Sequence, residues 1–238
     1  MRLSAPVHQL KRAARLMARR ERIPLHAALD RVAMSEGFGS WSLLASTRAA
    51  PASHARQVWM SLEEGDMLLI GARPGQGKTL LGLEVAGEAM KSGRRAAFFT
   101  LEYTVRDVAG RFAALGIDAT RFEGRFLFDD SDTICADHIA ARLAGMPRGT
   151  LAVIDYLQLL DRKRDHPDLA AQVSALRALA REKGFSLVFL SQIDRGFDPA
   201  APSCPDIGDV RLANPLDLGL FNKRCFLHAG DMRLEVAG

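Results

Sequence analysis

Long apolar runs are missing from this chain of 238 residues. No stretch approaches the roughly twenty consecutive apolar residues that cross a bilayer, so no membrane span is expected. The opening residues, MRLSAPVHQLKRAARLMARR, are basic throughout and lack the apolar centre of a secretion signal; the expected location is cytoplasmic. Cysteine is scarce. Cys135, Cys204 and Cys225 are odd in number, far apart and without the C-x-x-C spacing of a zinc or redox site, which leaves free thiols as the expected state. Aromatic residues make up only 7% of the chain, and neither an internal repeat nor a low-complexity block is present. What remains is the composition of a soluble globular protein, 48% hydrophobic and 25% charged, long enough for one good core with at most a small appendage.

Charge is distributed unevenly. Residues 1 to 56 hold ten Lys and Arg against three Asp and Glu, so the net +4 of the whole chain is a basic N-terminal piece attached to a slightly acidic remainder. Within that piece, residues 8 to 22 and 24 to 36 repeat apolar positions at three-to-four spacing, as amphipathic helices do. Pro24 suits the first turn of the second helix and Gly37 its end. The segment FGSWSLLAS reads as a further short helix that turns Phe38 and Trp41 inward. AAPASHAR, small and aperiodic, reads as a linker. The expected division is a basic helical segment over 1–50, a linker over 51–57 and a larger domain over 58–238.

From residue 58 the pattern changes. Short, nearly unbroken apolar runs at 67–71, 96–100, 125–128, 151–154 and 187–190 have the form of strands buried on both faces. Helical stretches lie between them at 78–91, 104–115, 133–144 and 168–183. This alternation predicts an α/β fold with a mainly parallel sheet flanked by helices. Two apolar runs near the C-terminus, separated by Gly230 and Asp231, predict a hairpin.

The strand MLLIG and the helix TLLGLEVAGEAM enclose a glycine-rich loop, ARPGQGKT, in the strand-loop-helix context that holds phosphate. Main-chain N–H groups from the residues after Pro74 through Thr79 are expected to converge on phosphate oxygens, aided by the positive end of the helix dipole. Gly75 and Gly77 allow close approach and positive φ. Lys78 is placed to neutralise the β and γ phosphates of ATP, and the Thr79 hydroxyl to help hold Mg²⁺. Arg73, Pro74 and Gln76 complete the nucleotide-binding loop. The competing reading is an ordinary glycine-rich turn that happens to contain Lys-Thr.

Three further strand ends carry groups that suit the same chemistry. LAVID is an apolar strand ending in Asp155, the form of the acid that positions Mg²⁺. Glu102 follows AAFFTL at the C-terminal edge of another strand, where ligands of parallel sheets bind, and is placed to deprotonate an attacking water. Gln192 ends a third strand as a neutral sensor of the γ phosphate. The alternatives are a helix-starting surface acid for Glu102 and a solvated strand end for Gln192.

In order and spacing, GARPGQGKT, FFTLEYT, VIDYLQLL and VFLSQIDR resemble the ATPase domain of DnaB-type replicative helicases, members of the RecA-like class of P-loop NTPases. The resemblance covers roughly residues 58 to 200. The Ala-Arg-Pro at 72 to 74, where the generic loop starts with Gly, is itself the habit of that family. By matching position the resemblance implies nucleotide and metal binding by Lys78 and Thr79, a base at Glu102, a magnesium-side acid at Asp155, and a sensor at Gln192 coupled to a DNA-contacting loop. It also implies a homo-oligomer acting on single-stranded DNA without reading its sequence. The first 50 residues are too short for the family's helical collar. The Lys-x-Arg finger expected near the C-terminus has no recognisable match; Arg211, Lys223 and Arg224 are substitutes for it.

DNA contact is a separate expectation. The loops after Asp155 and Gln192 carry Arg162, Lys163, Arg164 and Arg195, suited to phosphates, although Asp161 and Asp165 dilute that charge. The first helix carries Arg12, Arg15, Arg19, Arg20 and Arg22, suited to DNA, to a neighbouring subunit or protein partner, or to solvent alone. Two functions of different class follow: a DNA-associated, ATP-hydrolysing oligomer, or a nucleotide-dependent binding or regulatory module with weak or no hydrolysis and no unwinding. A RecA-like recombinase is disfavoured by the Ala-Arg-Pro loop and the Asp-Tyr-Leu-Gln run.

Overall fold

A computed structural model describes residues 7–21, 23–41, 53–114, 116–117, 124–161, 167–198, 200 and 203–236. The chain divides into two compact units, residues 1–53 and 54–238. In the first, helix α1 (Val7–Glu21) packs on α2 (Leu25–Ser35). Leu10 and Ala14 of α1 meet Ala28, Val32 and Ala33 of α2, with Phe38 and Trp41 closing the cluster. Those two aromatics turn inward as expected; the rest of the short helix expected there lies outside the described residues.

The second unit begins with α3 (His54–Ser61). Residues 54 to 57, expected as linker, are therefore helical. Ala55 and Val58, three apart, are buried in the core of this unit and hold the helix in place. Its sheet contains β1 (Met67–Ala72), β2 (Ala96–Thr100), β3 (Phe126–Asp129), β4 (Leu151–Asp155), β5 (Ser186–Gln192), β6 (Lys223–His228) and β7 (Asp231–Val236). Their order is β3-β2-β4-β5-β1-β6-β7. All neighbours are parallel except the final pair, β6 and β7. That pair is the expected hairpin, but its turn is Ala229-Gly230, both at positive φ, with Asp231 already in register opposite His228.

Alternation along the central strands divides their side chains between two apolar layers. Met67, Leu69, Phe99, Ile154 and Phe189 face α6 (Ala136–Leu143) and α7 (Leu169–Lys183). Leu68, Ile70, Phe98, Val153 and Leu190 face α3, α4 (Lys78–Lys91) and α5 (Val105–Ala114). Every residue of β1, β2 and β4 is buried, as expected for parallel strands covered on both sides. The helix after the glycine-rich loop lies close to the sheet because Gly82 has no side chain: a Cβ there would sit 3.1 Å from Leu190 and 3.2 Å from Val153. Among the described residues, no helix is long and apolar enough to cross a membrane.

Candidate nucleotide site

Topology brings the expected residues to one edge. β2, β4, β5 and β1 are consecutive neighbours, so the segments leaving their C-terminal ends lie side by side. The register sets their levels: Thr100 is opposite Asp155, and Ala72 opposite Gln192. Parallel sheets bind ligands at this edge because the loops diverge there and helix N-termini point toward it.

The loop after β1 has the backbone of a phosphate cradle. Gly75 and Gly77 adopt φ of 81° and 84°, and Gly77 sits immediately before α4 in the left-handed region. A side chain at either position would meet no protein atom within 4 Å. The glycines are therefore required by backbone conformation and by whatever approaches the loop, not by crowding within the protein. Pro74 and Gly75 are exposed at the tip, whereas Lys78 and Thr79, the first residues of α4, are buried.

Arg73 and Gln76 point elsewhere. The Arg73 guanidinium donates to the carbonyl of Phe197, in the segment after β5. The Gln76 amide oxygen accepts from the Ala229 N–H in the hairpin turn, at 2.9 Å. Both side chains brace the loop from its flanks, a role that a motif position alone does not disclose. Beside Gly77 a cleft of about 430 Å³, its open mouth included, runs between α4 and the hairpin and is lined by Leu80, Glu84, Leu227 and Asp231.

Asp155 is the most unusual group at this edge. It is 0% exposed, and neither of its carboxylate oxygens has a hydrogen-bond partner among the described residues. A buried carboxylate left bare is costly. Burial pushes its pKa up to about 6, against the opposing pull of the Lys78 charge and the neighbouring Thr79 hydroxyl, and Glu102 raises it further. A lysine, a hydroxyl and an orphaned carboxylate in one buried place have the donor set of a magnesium-phosphate site: hard oxygen ligands beside a cation for the phosphates. The residues present fit Mg²⁺.

Glu102 is exposed just beyond β2, and its N–H donates to the Thr100 hydroxyl at 3.0 Å, which fixes the turn that carries it. Gln192 is half-buried, and its carbonyl accepts from the Arg211 N–H at 2.8 Å.

Two residues near this edge carried no expectation from sequence. Gln158 donates through its amide nitrogen to the Ser191 hydroxyl at 3.1 Å and to the Arg211 carbonyl at 2.7 Å, joining the turn after β4 to the end of β5. Arg111 lies over the Tyr103 ring at 4.5 Å and close enough to Asp155 to favour its charged form. The run Asp-Tyr-Leu-Gln contained a signal for the first; nothing local announced the second.

Of the substitutes for an intersubunit cation, Lys223 is excluded. It is buried, pairs with Asp66 at 2.6 Å and also donates to the Ser61 carbonyl, so it is committed within its own unit. Arg224 is half-buried on β6, and Arg211 is exposed. Arg195 is exposed in the turn after β5; Arg22, Arg162, Lys163, Arg164 and Asp165 lie outside the described residues.

A family model described as the DnaB-like helicase C terminal domain matches residues 56–125 and 119–217. A replicative DNA helicase DnaB of Helicobacter pylori is 25% identical over 207 residues, covering 72% of this chain and 42% of that protein. The Leifsonia xyli replicative DNA helicase DnaB is 27% identical over 187 residues, 66% of this chain and 41% of the relative. This chain thus spans about two fifths of the curated relatives it matches. Among solved structures, an ATPase domain determined on its own superposes with a TM-score of 0.59 at 18% identity, covering 82% of this chain and 88% of that one. A DnaB-like replicative helicase studied for its interactions with primase gives 0.57 at 16% identity, over 73% of this chain and 54% of that one. At such identities the structural likeness speaks for the fold alone, and that fold is RecA-like.

Proposed function

The chain belongs to the family of DnaB-like helicase C-terminal domains, and on that premise we propose that it binds and hydrolyses ATP with Mg²⁺ and acts on single-stranded DNA as a homo-oligomer. The observation that carries this reading is the bare carboxylate of Asp155 buried beside Lys78 and Thr79. In an ATPase that arrangement has a use, since the stability lost to an unpaired buried acid is recovered when a divalent cation binds.

In this reading the N–H groups of the loop and the start of α4 hold the phosphate oxygens, and Lys78 takes up charge that develops on the transferred group. Bound Mg²⁺, held by Thr79 and Asp155, would bridge phosphate oxygens and neutralise them. Glu102, exposed at the adjacent strand end, accepts the proton of the attacking water, and Gln192 orients near the γ phosphate. The cleft between α4 and the hairpin receives the nucleoside end. A cation from the neighbouring subunit completes charge neutralisation; Arg211 is the exposed substitute for it.

The test is steady-state ATPase activity with and without single-stranded DNA in the parent and in Glu102→Gln. DNA should stimulate the parent, and the variant should bind ATP but lose turnover by about a hundredfold or more. Undiminished turnover in the variant would remove Glu102 from the mechanism, and a parent without turnover would favour the alternative of a nucleotide-dependent binding module.

A further inference from the structure

Helix α1 belongs to the unit outside the matched ATPase region, and its solvent face is built from cations. Lys11, Arg15 and Arg19 form one row at four-residue spacing; Arg12, Leu16 and Arg20 form the row beside it. Residues so spaced stand one above another on a helix surface. All five basic residues are exposed, and none pairs with a carboxylate among the described residues. The opposite face, with Leu10 and Ala14, is already consumed by packing on α2.

The acids of this unit are engaged elsewhere. Glu21 pairs with Arg31 at 2.7 Å, Asp30 accepts from the Trp41 N–H at 2.8 Å, and Glu36 also has a partner. Five like charges within nine residues, about 13 Å of helix, therefore repel one another with no internal compensation. A sequence selected only for solubility would intersperse both signs.

We propose that this face of α1 holds the phosphodiester backbone of DNA. Charge complementarity is the first argument: phosphates at regular spacing meet two cationic rows, and binding releases condensed counterions. Leu16, 59% exposed between Arg12 and Arg20, gives an apolar contact for a sugar or base within the cationic frame. A lipid surface suits it less well, because membrane-lying helices expose a broad apolar face, and here that face is covered. The choice of DNA among polyanions rests on the function proposed above; the cationic site itself does not depend on the nucleotide loop.

The test uses the full chain without nucleotide, so that DNA binding is read apart from ATP turnover. Fluorescence anisotropy is measured with labelled oligodeoxynucleotides, single-stranded and duplex, across a salt series. In K11Q/R12Q/R15Q/R19Q the slope of log affinity against log salt should shrink by about 3 on single strands, with affinity down about tenfold or more at moderate salt. The matching R12K/R15K/R19K protein should stay within about twofold of the parent, because charge rather than packing is at stake. The glutamine variant should keep its DNA-independent ATPase rate, which separates a failure here from a failure of the nucleotide site. An unchanged slope and affinity on both oligonucleotides would overturn the proposal, as would preferential capture of the protein by phosphatidylserine vesicles over DNA at the same salt.

Discussion

Arg73, in the loop before α4, donates its guanidinium to the main-chain carbonyl of Phe197, in the segment that follows β5. The same segment is tied at its start, where the Ile193 N–H donates to the Ala72 carbonyl at 3.1 Å, and the Phe197 ring stands edge-on to His228 with centroids 5.3 Å apart. Arg73 is thus a positioning group that links the phosphate loop to the strand end where Gln192 sits. Arg73→Ala should keep ATP affinity within about threefold while losing most of any DNA stimulation of turnover, since a bond to a charged donor contributes about 1.5–3 kcal/mol. Equal stimulation in parent and variant would show that the tie transmits nothing.

Asp155 yields a prediction with a definite pH sign. In the ligand-free protein its pKa, about 6, lies above the ordinary 3.8, so the folded state holds this proton more tightly than the unfolded chain does. That contribution is complete below the unfolded value and lost as pH rises through 6. Above pH 7 the buried charge costs about 3 kcal/mol. Asp155→Asn should therefore gain stability relative to the parent between pH 4 and 7 and level off above, in thermal unfolding without nucleotide or Mg²⁺, while losing magnesium-dependent hydrolysis. A stability difference that stays flat over this range would contradict the assignment.

Lys223 and Asp66 form an ion pair whose side chains are only 8% and 11% exposed. Burial alone would push the Asp66 carboxyl up. Hydrogen bonds from Lys223, the Glu63 N–H and Asn222, with the Lys223 charge, outweigh burial and hold it below its usual range. Lys223→Met strands that carboxylate and should destabilise the protein by about 3 kcal/mol or more at neutral pH, measured by urea unfolding. The deficit should shrink in acid as Asp66 takes a proton. A loss below about 0.5 kcal/mol would mean that the pair is not buried as described.

Where local chemistry decided the structure, it could be read from sequence. α4 begins at Lys78 because Gly77 supplies the left-handed residue before it, and both bounds of that helix follow the expectation. The strands were legible because residues buried on both faces leave unbroken apolar runs. α3 was missed because Ala55 and Val58 are too small and too few to make a periodic signal; the packing that holds them is tertiary. The hairpin turn was placed one residue late because Ala229 adopts φ of 51°, a conformation alanine seldom takes, and the sequence favoured Gly230-Asp231. Side-chain direction was the least legible feature. Arg73 and Gln76 occupy loop positions that suggest phosphate contact, yet they reach to Phe197 and Ala229; Lys223 suggested a free cation, yet it is buried against Asp66.

The central claim is that the loop at residues 73 to 79 holds a nucleoside triphosphate with Lys78 as its cation, and titration calorimetry of MgATP into the parent and Lys78→Ala addresses it directly. The parent should bind one ATP per chain, and the variant should lose at least about 3 kcal/mol of binding free energy, roughly a hundredfold in Kd, because a buried charged partner of the phosphates is gone. Equal affinity in the two proteins, or no binding by the parent, would contradict the account.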